Sequence, residues 1–381
     1  MTRPALRIAM VAGEASGDLL GGLLLAGLQQ RWPGLQAFGI GGPQLASKGF
    51  EAWWPSEKLA VRGYVEVLRH YRALLGIRKQ LVQRLLADPP DVFIGIDAPD
   101  FNLGLETQLK ARGVKTVHFI SPSIWAWRPE RIEKIRHAVD HMLCIFPFEK
   151  PLYDQAGIPA TYVGHPLAPM VPLVPDKAAA RAALGLAAQA TVVAVLPGSR
   201  ASEVHYLGFK LFRAIAQVNA AQPAIKFIVP CAPGMHGAIA QQAQNAGVLH
   251  LLQLLDGQSH TALAACDVAL VASGTATLEA ALFKRPMVIA YNMHWLSWQL
   301  MQRKQLQPWV GLPNILCGEF VVPEFLQGNA TPGALGSATL DWLAQPEKIQ
   351  ALQTRFTALH HQLQRDTAQL VCHAVAEVIA T

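Results

Sequence analysis

Short runs of apolar and β-branched residues alternate along this chain with longer stretches whose apolar positions recur at helical spacing. The runs predict strands at 7–12, 91–96, 115–120 and 141–146 in the first half, and at 191–196, 225–229, 267–272 and 287–291 in the second. Helical patterns such as 19–30 and 207–219 lie between them. Apolar strands separated by helices are the mark of βαβ units, hence of parallel sheet covered on both faces. The alternation breaks at 164–175, where Pro166, Pro169, Pro172 and Pro175 recur at every third position. Such a run continues neither a helix nor a central strand, and it predicts a stiff extended linker. The chain therefore divides into 1–165, 176–344 and a helical tail, 345–381. The expected class is α/β: two Rossmann-like, doubly wound domains with an interdomain cleft. Ligands of such sheets bind beyond the carboxyl ends of the strands, so chemistry is sought in the turns that follow them.

Composition narrows the partners. Of 381 residues, 51% are hydrophobic and 15% charged, which supplies two cores and excludes a disordered chain. Lys and Arg number 32 against 26 acids, a formal charge of +6. That excess suits a nucleic acid, a phosphorylated substrate or an acidic lipid surface, and does not choose among them. The five cysteines are scattered with no C-x-x-C pair, which argues against a disulfide framework and for a reducing compartment. The first residues lack a signal peptide's pattern, and the apolar run at 19–28 contains Gly21, Gly22 and Gly27 and is too short to span a bilayer. A soluble or peripheral protein is expected. The histidines show no H-E-x-x-H spacing, so no metal site is expected.

Five turns carry candidate chemistry. After the first strand, Gly13-Glu14-Ala15-Ser16-Gly17-Asp18 enters a helix; Glu14 or Asp18 offers a carboxylate for a proton or for sugar hydroxyls, unless Ser16 or Asp18 is a plain N-cap. Gly39-Ile40-Gly41-Gly42-Pro43 is glycine-rich but lacks the third glycine of the dinucleotide fingerprint. Gly95-Ile96-Asp97-Ala98-Pro99-Asp100 places two carboxylates at a strand end, where one can act as a general base and the other can cap the next helix. Ser121-Pro122-Ser123-Ile124-Trp125-Ala126-Trp127-Arg128 offers indoles for a sugar ring, or simply packing. Leu196-Pro197-Gly198-Ser199-Arg200 and Ala272-Ser273-Gly274-Thr275-Ala276-Thr277-Leu278-Glu279 are two anion-friendly helix starts that together suit a nucleotide diphosphate. Their plainer readings are an Arg200–Glu203 ion pair and a capping box through Glu279.

One segment addresses location. Residues 61–86 set apolar positions, among them Leu68, Leu75, Val82 and Leu85, beside Arg62, Arg69, Arg72, Arg78, Lys79 and Arg84, with Glu66 as the lone acid. Such a helix can lie on an anionic bilayer or can be a domain helix with a solvated basic face, and Gly76 is expected to interrupt it.

In this order the motifs GEASGD, GIGGP, GIDAPDFN, SPSIWAWR, LPGSR, ASGTATLE and LPNI resemble those of the lipid-A-disaccharide synthase family, over essentially the whole chain. The resemblance implies a GT-B fold whose C-terminal tail packs back on the first domain. It implies transfer of 2,3-diacylglucosamine from UDP-2,3-diacylglucosamine to 2,3-diacylglucosamine 1-phosphate, forming a β-1′,6 linkage and releasing UDP, an early step in lipid A biosynthesis. No cofactor, metal or nucleic acid is implied, homodimerisation is left open, and the enzyme is expected on the cytoplasmic face of the inner membrane. In this sequence Asp97 would be the base with Asp100 in reserve, and Glu14, Ser16 and Gly17 would serve the acceptor. Trp127 would stack on a sugar. Ser199, Arg200, Gly274, Thr275 and Thr277 would hold the diphosphate, Glu279 the ribose, and Asn314 would complete the donor site. Val65, Leu68, Arg69, Arg72 and Leu75 would face the membrane. The rival readings are a UDP-sugar 2-epimerase of the same fold and a non-catalytic, membrane-bound nucleotide-sugar-binding module.

Overall fold

The computed structural model describes residues 5–59 and 64–381, except for the side chains of Ala15, 64–72, Leu296, Ser297 and Leu300. The chain forms two compact units, 1–167 with 362–381, and 168–361. In the first, the strands are β1 (Arg7–Ala12), β2 (Gln36–Gly41), β3 (Glu51–Pro55), β4 (Val92–Ile96), β5 (Lys115–Phe119), β6 (His141–Cys144) and β7 (Ala160–Tyr162). All pair in parallel, in the order β3-β2-β1-β4-β5-β6-β7. The second unit has β8 (Val192–Leu196), β9 (Lys226–Cys231), β10 (Leu252–Asp256), β11 (Val268–Ala272), β12 (Met287–Tyr291) and β13 (Glu324–Leu326). Its order is β10-β9-β8-β11-β12-β13, again all parallel.

The central strands are buried along their whole length, as β4, β8 and β11 show, because helices cover both faces. The strands without a sequence signal are those with weak burial or few residues. β3, β7, β10 and β13 are largely half-exposed; β2 is the exception, a continuous buried strand whose apolar pattern in the sequence is interrupted by Gly39 and Gly41. Each sheet reverses its winding once, between β1 and β4 in the first unit and between β8 and β11 in the second. At such a switch point the connecting helices leave to opposite faces, and a crevice opens at the strand ends.

Three expectations about chain organisation need correction. The proline run is not a bare extended linker: Ala168–Met170 is a 3-10 turn, and Lys284 Nζ donates to Pro172 O at 3.3 Å. His360 Nε2 lies 2.8 Å from Ala168 O, so that nitrogen carries the proton and Nδ1 accepts from Lys284 at 2.6 Å. Burial lowers the pKa of both groups, Lys284 to about 8. Second, only part of the tail returns to the first unit. Phe356 and His360 of helix Pro346–Leu363 are buried in the second unit, and the return is made by helix Thr367–Ala380. That helix starts afresh on its own N-cap, Asp366, and lays Ala368 and Cys372 against Gly27 of helix Ala15–Arg31. Third, helix Tyr64–Ala87 runs through Gly76 without a break. One helical glycine costs only about 1 kcal/mol, and the packed turns beyond it outweigh that.

Candidate active site and donor site

The switch point of the first unit brings together two of the predicted turns. Ala12 pairs with Ile96, so the chain leaves β1 and β4 side by side, into Gly13-Glu14 and Asp97-Ala98. Gly13 is required by this proximity: a Cβ there would lie 2.9 Å from the Cβ of Ala98. Glu14 is half-buried at the extended residue before helix Ala15–Arg31, and its side chain does not cap that helix. Ser16 is exposed on the first turn and Gly17 is buried against Ile96. Asp97 and Ala98 both have left-handed backbones, with φ of 49° and 44°. For Ala98, which precedes a proline, this is a costly conformation, of about 1–3 kcal/mol, and Asp97 beside it is half-buried. The backbone is held there by Asp97 N donating to Phe119 O at 2.9 Å and by Asn102 Nδ2 donating to Asp97 O at 2.8 Å.

Other expected acids are engaged elsewhere. Asp100 is exposed and bound to Arg131, with Arg128 at 3.9 Å, so it is engaged by two guanidiniums. The Arg128 guanidinium also covers the half-buried Trp127 ring at 3.9 Å, which occupies one face of that indole. Asp18 is buried and accepts from Gly42 N, Gln44 N and Leu45 N at 2.7, 2.8 and 3.2 Å. It therefore caps helix Pro43–Ala46, not its own helix, and takes up free amides of the glycine-rich GIGGP turn.

Sequence reasoning missed a second buried carboxylate here, Glu149, which no motif marks. It accepts from Ile145 N, Phe146 N and Trp125 Nε1, and burial pushes its pKa up to about 8. It fixes Trp125 as packing. Ser121 is likewise buried, 2.7 Å from the Tyr153 hydroxyl.

In the second unit, Leu196 pairs with Val271, so β8 and β11 deliver Gly198-Ser199-Arg200 and Ser273-Gly274-Thr275 to adjacent positions. Ser199 and Arg200 are exposed, Arg200 at the extended N-cap of helix Ala201–Ala221. Glu203 shapes this turn by accepting from Ser199 N at 2.9 Å and pairing with Arg200 at 2.5 Å. The ion pair named as the plain alternative is therefore present. Gly274 and Thr275 are exposed at the start of helix Thr275–Leu282. Glu279 does not close a capping box; it lies 3.8 Å from His260 Nε2, and this carboxylate raises the pKa of His260.

Two predicted ligands point inward. Thr277 is fully buried and its hydroxyl donates to Gly274 O at 2.8 Å, so it is turned onto its own helix and away from any ligand. Asn314 is fully buried too. Its amide donates to Val322 O and Glu324 Oε1, and its oxygen accepts from Val321 N and Val322 N. All its bonding capacity is spent on folding residues 310–324. A cavity of about 410 Å³ at the end of β13, lined by Trp298, Phe320 and Leu326 among others, includes none of the predicted ligands.

Of the proposed membrane-facing residues, the side chains of Val65, Leu68, Arg69 and Arg72, like residues 60–63, lie outside the described residues. Leu75 is half-buried. Leu81, Val82 and Leu85 belong to the core, and Arg84 stacks on Trp53 at 3.6 Å, so the last turns of this helix are an ordinary domain helix. No helix among the described residues is long and apolar enough to cross a membrane.

Two parallel-sheet units, each with its functional turns at a switch point, define a GT-B class of protein. The chain superposes on UDP-GlcNAc 2-epimerase from Neisseria meningitidis with a TM-score of 0.63 at 12% identity, covering 98% of this chain and 99% of that one. It superposes on the calicheamicin glycosyltransferase CalG4 with a TM-score of 0.61 at 13% identity, covering 99% and 98%. These likenesses establish the fold. Residues 8–375 match the family described as lipid-A-disaccharide synthetase. The lipid-A-disaccharide synthase of Albidiferax ferrireducens is 63% identical over 379 residues, 98% of this chain and 97% of the relative. The chain belongs to the lipid-A-disaccharide synthase family and is a glycosyltransferase of lipid A biosynthesis.

Proposed function

We propose that the protein moves 2,3-diacylglucosamine from its UDP derivative onto the 6-hydroxyl of 2,3-diacylglucosamine 1-phosphate, in one inverting displacement. The observation that carries this reading is the division of chemistry between the two switch points. The turns that carry Glu14 and Asp97 leave adjacent strands at the first, and Arg200 with two exposed helix starts stands at the second. Asp97 takes the proton of the acceptor hydroxyl as its oxygen attacks the anomeric carbon of the donor. The bond from that carbon to the diphosphate breaks, and the electron pair leaves with UDP. Arg200 and the amides of the helix starts at Ala201 and Thr275 stabilise the departing charge. Glu279 accepts from the ribose hydroxyls, and Glu14 and Ser16 orient the acceptor.

Mass spectrometry of reactions with synthetic acylated donor and acceptor tests this. Disaccharide 1-phosphate and UDP are expected in equal amounts, and only when both sugars are present. A changed UDP-sugar formed without acceptor would instead support the epimerase.

Because both substrates carry acyl chains, the protein is proposed to work at the cytoplasmic face of the inner membrane, using the Val65, Leu68, Arg69, Arg72 and Leu75 segment. Each basic residue at an anionic surface contributes about 1 kcal/mol. Arg69→Glu with Arg72→Glu is expected to reduce co-sedimentation with anionic vesicles at least tenfold. Undiminished co-sedimentation removes this segment from the proposal.

A further inference from the structure

Directly behind the Asp97 turn lies a group of polar side chains that the mechanism above does not use. Asn102, Glu106 and His118 are all fully buried. Asn102 and Glu106 stand one turn apart on helix Pro99–Lys110, and both press on Gly95 of β4. A Cβ at Gly95 would lie 2.1 Å from Glu106 Oε1 and 3.1 Å from Asn102 Cβ. His118 is the residue of β5 paired with Gly95, and its Nδ1 lies 2.7 Å from Glu106 Oε1.

From this base Asn102 reaches up to the switch point. Its Nδ2 is 2.8 Å from Asp97 O and 3.3 Å from both Ile96 O and Val11 O, so one amide spans the ends of β1 and β4 and the first left-handed residue beyond them. The arrangement is poor for stability alone. Among the described residues Asn102 Oδ1, Glu106 Oε2 and His118 Nε2 have no hydrogen-bond partner, and buried polar atoms left in that state are costly. An apolar cluster of the same volume would hold helix to sheet without that cost. What it could not do is grip the carbonyls of a strained turn.

We propose that Asn102, Glu106 and His118 form a buried positioning group for the transfer reaction. Glu106 and His118 set the height of helix Pro99–Lys110 on the sheet, and Asn102 thereby holds Asp97 and Ala98 in their left-handed conformation. The inference rests on Asp97 being the base. It adds three residues that touch neither sugar and act through the turn. A displacement of about 1 Å at a reacting group can cost 10²-fold in rate, so loosening this grip should be felt in turnover before it is felt in donor binding.

The test is steady-state kinetics on the full-length enzyme with Asn102→Ala, Glu106→Leu, Glu106→Gln and Asp97→Asn, each with its melting temperature. Asn102→Ala and Glu106→Leu are expected to lower kcat 10- to 100-fold while donor KM stays within twofold. Glu106→Gln keeps the shape and an acceptor for His118, and is expected to retain kcat within threefold. If Asn102→Ala does not fold, Glu106→Leu and Glu106→Gln decide by their difference. The proposal is overturned if Asn102→Ala or Glu106→Leu turns over at the normal rate, if donor KM alone changes, or if Glu106→Gln is as impaired as Glu106→Leu. Asp97→Asn separates the two layers. An inactive Asp97→Asn beside a normal Asn102→Ala defeats only the positioning group, whereas a fully active Asp97→Asn removes the base and this inference with it.

Discussion

Asp97→Asn is expected to lower kcat by about 10²- to 10⁴-fold, the range a positioned general base supplies, with UDP binding unchanged. Asn is the informative replacement because the site imposes a backbone condition as well as a chemical one. Residue 97 sits at φ 49°, a region that Asn and Asp enter more readily than other side chains with a Cβ. The variant should therefore fold with a melting temperature close to the parent's, and a lost rate will report the missing carboxylate, not a collapsed turn. Ala at the same position removes the carboxylate but also pays the left-handed cost without a polar side chain to offset it. Calorimetry with UDP beside product assays checks the split. Normal turnover by Asp97→Asn would remove Asp97 as the base.

The second large effect is expected at Arg200. Its guanidinium stands at the N-cap of helix Ala201–Ala221, exposed, with Glu203 at 2.5 Å. When the donor bond breaks, negative charge accumulates on the leaving diphosphate. A charged donor already fixed beside it contributes more in the transition state than in the ground state. Arg200→Ala is expected to lower kcat about 10²- to 10³-fold, in the range observed when one such donor is removed. UDP affinity should fall less, by about tenfold, because the helix amides remain. Arg200→Lys should recover only part of the rate, since an ammonium lacks the planar fork that meets two phosphate oxygens. Parallel measurement of kcat and UDP dissociation checks this. Equal losses in both would assign Arg200 to simple binding, and no loss in either would take it out of the site.

Much of the site was legible because these motifs follow strands and supply residue types that suit only a few roles. The turns that carry Glu14, Asp97, Arg200 and Gly274-Thr275 could be named as strand-end turns from that logic, and the sheets pair those strand ends. What misled was the assumption that polar residues in a glycine-rich turn face a ligand. Asp18 carries its charge into the fold to cap a distant helix, Thr277 folds back on its own, and Asn314 spends every bond on the loop around it. For Asp18 the choice depends on partners more than twenty residues away, Gly42 among them, and no local pattern announces them. The same holds for Glu149, which stands outside every motif, and for Leu81, Val82 and Leu85, whose core face resembles an amphipathic surface stripe until β2 and β4 are laid against it.

By itself, then, the order of residues determined the βαβ class, the division near the proline run and the family, because period, punctuation and motif order are written locally along the chain. The tertiary structure alone decided which carboxylates remain available for chemistry. Pairing β1 with β4 and β8 with β11 brings side by side turns that lie some eighty residues apart in the chain, and the crowding there commits some acids to caps and ion pairs while others stay at the strand ends. Burial and hydrogen bonding act through space, and sequence separation does not measure them.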